Sequence, residues 1–139
     1  MTTTIRPRAG LHRWVPRLTL AAATVHMAVG AVASAPQWRD ILSGGLWNTV
    51  ANDDHARMTA LWFMVAGVAL FGLGLLAREA VIGTGALPAE MGWTLMAAGV
   101  LVSALEPASG GWLLIVIGAL ALVATRDRHR APCASAGDR

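Results

Sequence analysis

Four apolar stretches constrain this chain more than any other feature of its sequence. They are Leu18–Ala35, Met58–Ala77, Pro88–Leu105 and Trp112–Thr125, and charged residues are almost absent from them. A helix needs about 20 apolar residues to cross the hydrocarbon core of a bilayer. The last stretch is short of that length, so a re-entrant hairpin of the last two stretches stands as an alternative to two thin spans. The pattern predicts an all-α fold, an integral membrane four-helix bundle.

The composition supports this fold class. The chain has 139 residues, of which 55% are hydrophobic and 14% are charged. A soluble domain carries about 25% charged residues, so we expect this chain to expose apolar surface to lipid. A cleaved signal peptide is the competing interpretation of the first stretch, because Ala33-Ser34-Ala35 resembles a cleavage site. Pro36 directly after that site and His26 within the stretch favour a retained helix.

The positions of the arginines predict the orientation. Cytoplasmic flanks of membrane helices are rich in basic residues, and only Arg39 and Arg57 fall on the side that four spans would place outside. Both termini are therefore predicted to be cytoplasmic, with an Arg-rich N-terminus at 1–17, a transmembrane domain at 18–125 and a disordered tail at 126–139. Charge placed beside apolar stretches predicts membrane lipids as partners and no nucleic acid.

An interfacial segment is predicted between the first two helices, at residues 36–55. Trp38 and Trp47 suit the headgroup region. Gly44-Gly45 is expected to break any helix that forms there. The segment is predicted to lie on the outer membrane surface.

His26 is the most informative single residue, because it lies near the middle of the first predicted span. A polar group without a partner is costly in hydrocarbon, and ionisable residues within spans are candidates for function. A structural interpretation competes, in which the ring hydrogen-bonds a neighbouring backbone carbonyl or serine.

Two stripes of side chains are predicted to face the bundle interior. One consists of Ala22, His26, Gly30 and Ser34, and the other of Gly92, Met96, Gly99, Ser103 and Glu106.

Titratable residues gather at the predicted outer end. Glu106 ends the third stretch, while Asp54 and Arg57 lie at the start of the second. The ordinary interpretation is an interfacial ion pair, and the functional one makes His26, Glu106 and Asp54 candidate catalytic acid–base groups. No metal site and no cofactor is predicted, because the metal-binding and phosphate-binding motifs are absent and the single cysteine, Cys133, lies in the tail.

Short motifs recur in order along residues 14–115. They are Trp14 with Arg17, His26 with Gly30, Gly45-Leu46-Trp47-Asn48-Thr49-Val50, Arg57 with Ala60-Leu61-Trp62-Phe63, Gly67 with Gly74, Leu87-Pro88, Gly92-Trp93, Pro107-Ala108-Ser109-Gly110 and Trp112-Leu113-Leu114. With these motifs the chain resembles a family of small four-helix bacterial membrane proteins of unknown function. The resemblance implies a multi-pass fold in the bacterial cytoplasmic (inner) membrane and supplies no activity. Glu106 departs from the pattern, which has an apolar residue before Pro107.

The sequence favours a protein that binds a lipophilic small molecule in a bundle pocket open to the outer leaflet. The residues predicted to line this pocket are His26, Asn48, Arg57, Trp62 and Ser103. The alternative is a membrane-embedded acid–base enzyme, an isomerase or an epoxide-opening, terpene-type cyclase, acting on an isoprenoid or quinone-like substrate. Besides membrane lipids and that molecule, a homo-oligomer with further copies of the chain is a candidate assembly.

Overall fold

The computed structural model describes residues 10–46, 49–50 and 54–129, with side chains described up to Arg126. These residues form five helices and no strand. The helices are α1 (Leu11–Ala33), α2 (Ala35–Ser43), α3 (His55–Thr84), α4 (Ala89–Leu105) and α5 (Gly111–His129). The all-α class is confirmed. The described residues contain a helix in each of the four predicted apolar stretches and a further one, α2, within the predicted interfacial segment.

The first helix begins well before its apolar stretch. It starts at Leu11 and includes Pro16, so part of the Arg-rich N-terminal region is helical. Pro16 is the sixth residue of the helix and lacks the N–H that would otherwise donate to the carbonyl of His12, one turn earlier. On this first part the guanidinium of Arg17 lies 5.7 Å from the ring centroid of Trp14, within the range of a cation–π contact.

The second helix is bounded by proline and glycine. Pro36 lies in its first turn, where a missing N–H is tolerated. It ends at Gly44, whose N–H donates to the carbonyl of Asp40 (3.0 Å). Gly45 follows with a φ of +79°, in the left-handed region that only glycine adopts without cost. The prediction that Gly44-Gly45 breaks the helix is confirmed.

The described residues divide into two compact units, one from the ranges Met1–Leu18 and Gly74–Arg139 and the other from the range Thr19–Leu73. In the first unit, α4 and α5 pack with their backbones in contact. A Cβ atom added to Gly99 would lie 2.8 Å from the carbonyl oxygen of Gly111 and 2.8 Å from the amide nitrogen of Ile115. Leu95 and Ile117 are buried. The small residues of α4 therefore face α5, as close helix packing requires.

Two helices, α1 and α3, are long and apolar enough to cross a membrane. Only 28% of the most apolar part of α1 and 22% of that of α3 is buried. The core helix of a soluble protein would be mostly buried there. Large apolar side chains are instead exposed along both helices, among them Val25, Val29, Val32, Trp62, Val65 and Val68.

Candidate functional site

His26 joins α1 to α3 in the unit of residues 19–73. Its Nε2–H donates to the carbonyl oxygen of Phe63 (3.0 Å). Its ring also stacks on the ring of Phe63, with centroids 3.8 Å apart and planes 6° apart. A carbonyl can only accept, so this bond requires the proton on Nε2 and leaves Nδ1 as an acceptor in the neutral ring. We call this arrangement the His26–Phe63 contact.

Two glycines make the His26–Phe63 contact sterically accessible. Gly30 lies one turn after His26, and a Cβ atom there would lie 2.5 Å from Cδ1 of Phe63. Gly67 lies one turn after Phe63, and a Cβ atom there would lie 3.1 Å from Cδ2 of His26 and 2.5 Å from Cγ of Met27. The ring of Phe63 therefore occupies space that any larger residue at position 30 would need.

Asp54 and Arg57 form the start of α3. One carboxylate oxygen of Asp54 accepts from the N–H groups of Ala56 and Arg57 (3.1 Å each), which caps the helix. The other lies 2.9 Å from Nε of Arg57. This Nε contact has the distance of an ion pair without the angle of a hydrogen bond, so the pairing is electrostatic. In the described residues both carboxylate oxygens of Asp54 are thus engaged.

Arg57 also reaches α2 and the segment after it. Its Nη1–H donates to the carbonyl of Thr49 (3.3 Å). Its Nη2 lies 3.9 Å from a carboxylate oxygen of Asp40 on α2. Arg57 is the less exposed partner, at 29% against 62% for Asp40. We call Asp40, Asp54 and Arg57 the Arg57 cluster.

An open, apolar groove of about 400 Å³ lies among α1, α2 and α3. Its lining consists of small and large apolar side chains and one arginine: Ala31, Ala35, Trp38, Arg39, Leu42 and Met64. Its size falls within the range of small-molecule sites, roughly 300–1,000 Å³. Three lining residues are next in the chain to residues of the two contacts described above. Ala31 follows Gly30 and Met64 follows Phe63, beside the His26–Phe63 contact. Arg39 precedes Asp40 of the Arg57 cluster.

Within the unit of residues 19–73, the sequence-predicted site residues form separate contacts. Asp54 and Arg57 are brought together, and His26 meets Phe63 instead of a carboxylate. Trp62 is 64% exposed on α3, and Asn48 lies outside the described residues. Of the predicted ligand-binding residues that are described, none lines the groove.

Ser103 and Glu106 belong to the other compact unit, at the end of α4. Ser103 is buried against Gly111, and its hydroxyl has no hydrogen-bond partner among the described residues. Glu106 is exposed and ends the helix through its backbone N–H, which donates to the carbonyl of Val102 (2.8 Å). In the described part of the chain no group of three His, Cys, Asp or Glu side chains is placed to hold a metal ion.

Sequence reasoning missed Phe63 as the partner of His26 and Arg39 as part of a groove. A signal for the first was present, because His26 and Phe63 each lie one turn before a glycine, Gly30 and Gly67. A glycine one turn after each of these residues lets the two helices approach closely. For the groove, only Trp38 beside Arg39 in the predicted interfacial segment pointed to a boundary between apolar and polar surroundings.

The chain matches a family of unknown function, DUF6463, over residues 10–128. This match confirms the resemblance to a family of unknown function and covers all five helices except the last residue of α5. No curated protein and no solved structure matches the chain.

Proposed function

The chain belongs to the DUF6463 family of unknown function, and we propose that it is a multi-pass protein of the bacterial cytoplasmic membrane that binds a lipophilic small molecule. The ligand occupies the groove lined by α1, α2 and α3. The observation that carries this proposal is the groove itself, an open apolar site of about 400 Å³ that meets a single arginine.

The membrane part of the proposal is supported by the surface of the two long helices. Less than a third of the most apolar part of α1 and of α3 is buried. Exposed apolar patches of this extent mark a surface that contacts lipid or a partner. The arginine distribution supports an orientation with both termini in the cytoplasm and the groove toward the outer leaflet.

The binding part is supported by the lining of the groove. Sites for small lipophilic molecules are concave, mostly apolar and equipped with a few polar groups that orient the ligand. Leu42 and Met64 supply apolar wall, while Arg39 supplies the polar group. Two of the three acid–base groups proposed for an enzyme have other partners, since His26 donates to Phe63 and Asp54 caps α3. The third, Glu106, is exposed and belongs to the other compact unit.

The orientation is tested by thiol labelling, because Cys133 is the single cysteine of the chain. A membrane-impermeant maleimide should label Cys133 in intact cells only after permeabilisation. In a second chain carrying Cys133→Ser and Glu106→Cys, labelling should not need permeabilisation. Labelling of both positions from the outside would overturn the proposed orientation.

Ligand binding is tested by native mass spectrometry of protein released from mild detergent. Ala31→Trp places an indole in the groove, whereas Ala28→Trp places one on an exposed position of α1 outside it. Wild type and Ala28→Trp should carry the same bound lipophile, and Ala31→Trp should lose it. If Ala31→Trp retained the bound lipophile, the ligand would not occupy the groove. If wild type carried only bulk phospholipid, the ligand-binding proposal would lose its main support.

A further inference from the structure

Arg39 differs from Arg57 in having no anionic partner among the residues that the structure describes. Arg57 lies between Asp40 and Asp54, whereas Arg39 forms no ion pair within the described residues. It is the one charged side chain among the described residues that line the groove. We infer that the groove selects a single-chain lipophilic carboxylate, a molecule of the fatty-acid class, whose head group pairs with Arg39. This inference rests on the proposed function and adds the chemistry of its ligand.

The guanidinium of Arg39 supplies the head-group contact. Arginine offers a planar fork of donors that matches a carboxylate with two parallel hydrogen bonds. At the edge of an apolar groove, a carboxylate bound this way keeps its charge at the polar end while its chain lies along the apolar wall. The exposed side chain of Arg39 leaves the charged pair in contact with the polar phase, so the pair avoids the cost of full burial.

The surrounding charges favour a monoanion. Asp40 follows Arg39 directly, and the Arg57 cluster of two carboxylates and one guanidinium carries a net charge of −1. A dianionic head group such as a phosphate monoester would meet this negative charge with only one cation to offset it. A carboxylate brings one negative charge and is matched by Arg39 alone.

The size of the groove favours one chain. Its volume of about 400 Å³ lies near the lower end of small-molecule sites. Ala31 and Ala35 contribute small side chains to its wall, and Leu42 and Met64 contribute larger apolar ones. One alkyl chain meets apolar atoms along this wall, whereas the second chain of a phospholipid would remain outside it.

The test compares palmitate with hexadecanol, which share a chain and differ in the charge of the head group. Binding of each to the purified full chain in mild detergent is titrated by native mass spectrometry for wild type, Arg39→Gln, Arg39→Lys and Arg78→Gln. Arg78 is the matched control, an exposed arginine outside the groove. We expect wild type and Arg78→Gln to bind palmitate about fivefold more tightly than hexadecanol, because an exposed ion pair contributes up to ~1 kcal/mol.

Arg39→Gln should bind both molecules equally, and Arg39→Lys should retain part of the preference, which separates a charge effect from a folding defect. Equal binding of the two molecules by wild type, or a preference that survives in Arg39→Gln, overturns the inference while lipophile binding stands. Absence of binding of either molecule by wild type also overturns the inference, while the proposed function is decided separately by whether the purified protein carries a bound lipophile that Ala31→Trp loses. Phosphatidylglycerol is titrated in the same way as a two-chain anion, and tighter binding of it than of palmitate by wild type overturns the single-chain assignment.

Discussion

The two compact units hold their helices together by different means. In the unit of residues 19–73, α1 meets α3 through one polar aromatic side chain that stacks on Phe63 and donates to its carbonyl. In the other unit, α4 meets α5 through backbone atoms brought together by glycines. The first contact depends on a specific donor and ring as well as on Gly30 and Gly67, whereas the second depends on glycines that bring two backbones together. Loss of the ring or its donor should therefore weaken the first contact, and added side-chain bulk should disrupt the second.

The largest effect is expected where a side chain is forced between two backbones. Gly99→Leu places four carbon atoms where a Cβ atom alone would lie 2.8 Å from backbone atoms of α5. Overpacking of this kind lowers the free energy of unfolding by about 1–3 kcal/mol, and for Gly99→Leu we expect a loss of ~3 kcal/mol or more. The measurement is thermal unfolding in detergent. Gly83→Leu is the control, because a Cβ atom at Gly83 meets nothing within 4 Å, and equal stability of the two variants would refute the backbone contact.

A smaller loss is expected at the contact between α1 and α3. His26→Ala removes both the stack and the hydrogen bond, for a loss of about 1–3 kcal/mol in unfolding free energy. His26→Phe keeps a ring on Phe63 and removes only the bond, so we expect about 0.5–1.5 kcal/mol. Val25→Ala, on an exposed neighbouring position, serves as the control in the same unfolding assay. If His26→Phe were as destabilising as His26→Ala, the stack would contribute nothing.

The Arg57 cluster should respond unequally to loss of its two carboxylates. Asp54→Ala removes the cap of α3 together with the nearer ion pair, and a lost cap alone costs about 0.5–2 kcal/mol. Asp40→Asn removes a 3.9 Å pair whose carboxylate is 62% exposed, for which we expect at most ~1 kcal/mol. Unfolding at low and at high salt measures both, and the Asp40→Asn loss should shrink with salt. A larger loss of unfolding free energy for Asp40→Asn than for Asp54→Ala would show that Asp40, and not Asp54, is the more important partner of Arg57.

The smallest effects come from two tryptophans that differ in one hydrogen bond. The indole N–H of Trp112 donates to the carbonyl of Pro107 (2.9 Å). The buried indole nitrogen of Trp38 has no partner among the described residues. Trp112→Phe should therefore lower the free energy of unfolding by about 0.5–1.5 kcal/mol more than Trp38→Phe does. Equal unfolding free energies for the two variants would show that the Trp38 nitrogen has a partner in solution.

Helix ends were predictable where a backbone signal marks them and not where only hydropathy does. Pro88 and Glu106-Pro107 bound α4, and the predicted stretch and the observed helix both end at Leu105. By contrast, α1 begins at Leu11 and α3 continues to Thr84, beyond their apolar stretches. Hydropathy reports the surroundings of side chains, whereas a helix ends where its backbone hydrogen bonds end. For α2 the sequence predicted the break at Gly44-Gly45 but not the bounds of the helix, because a short helix depends mainly on tertiary contacts, here including buried Ile41 and the pairing of Asp40.

The site was predictable only in its separate parts. His26 stood out because an ionisable residue within an apolar stretch needs a partner, and a backbone carbonyl was one of the partners considered. That the carbonyl belongs to Phe63 depends on the relative register of α1 and α3, which no local pattern in either helix specifies. The groove depends on the placement of α2 beside both. Its lining residues are ordinary taken singly, and only their proximity makes them a site.

The His26 bond also has a consequence for the order of folding. It joins residues 37 positions apart in the chain, whereas α4 and α5 are neighbours joined by a short turn at residues 106–110. Contacts between distant positions close larger loops and therefore form more slowly. We expect the α4–α5 hairpin to assemble early and the His26–Phe63 contact to close late. If the contacts form in this order, the groove beside the His26–Phe63 contact forms late during folding and opens early during unfolding.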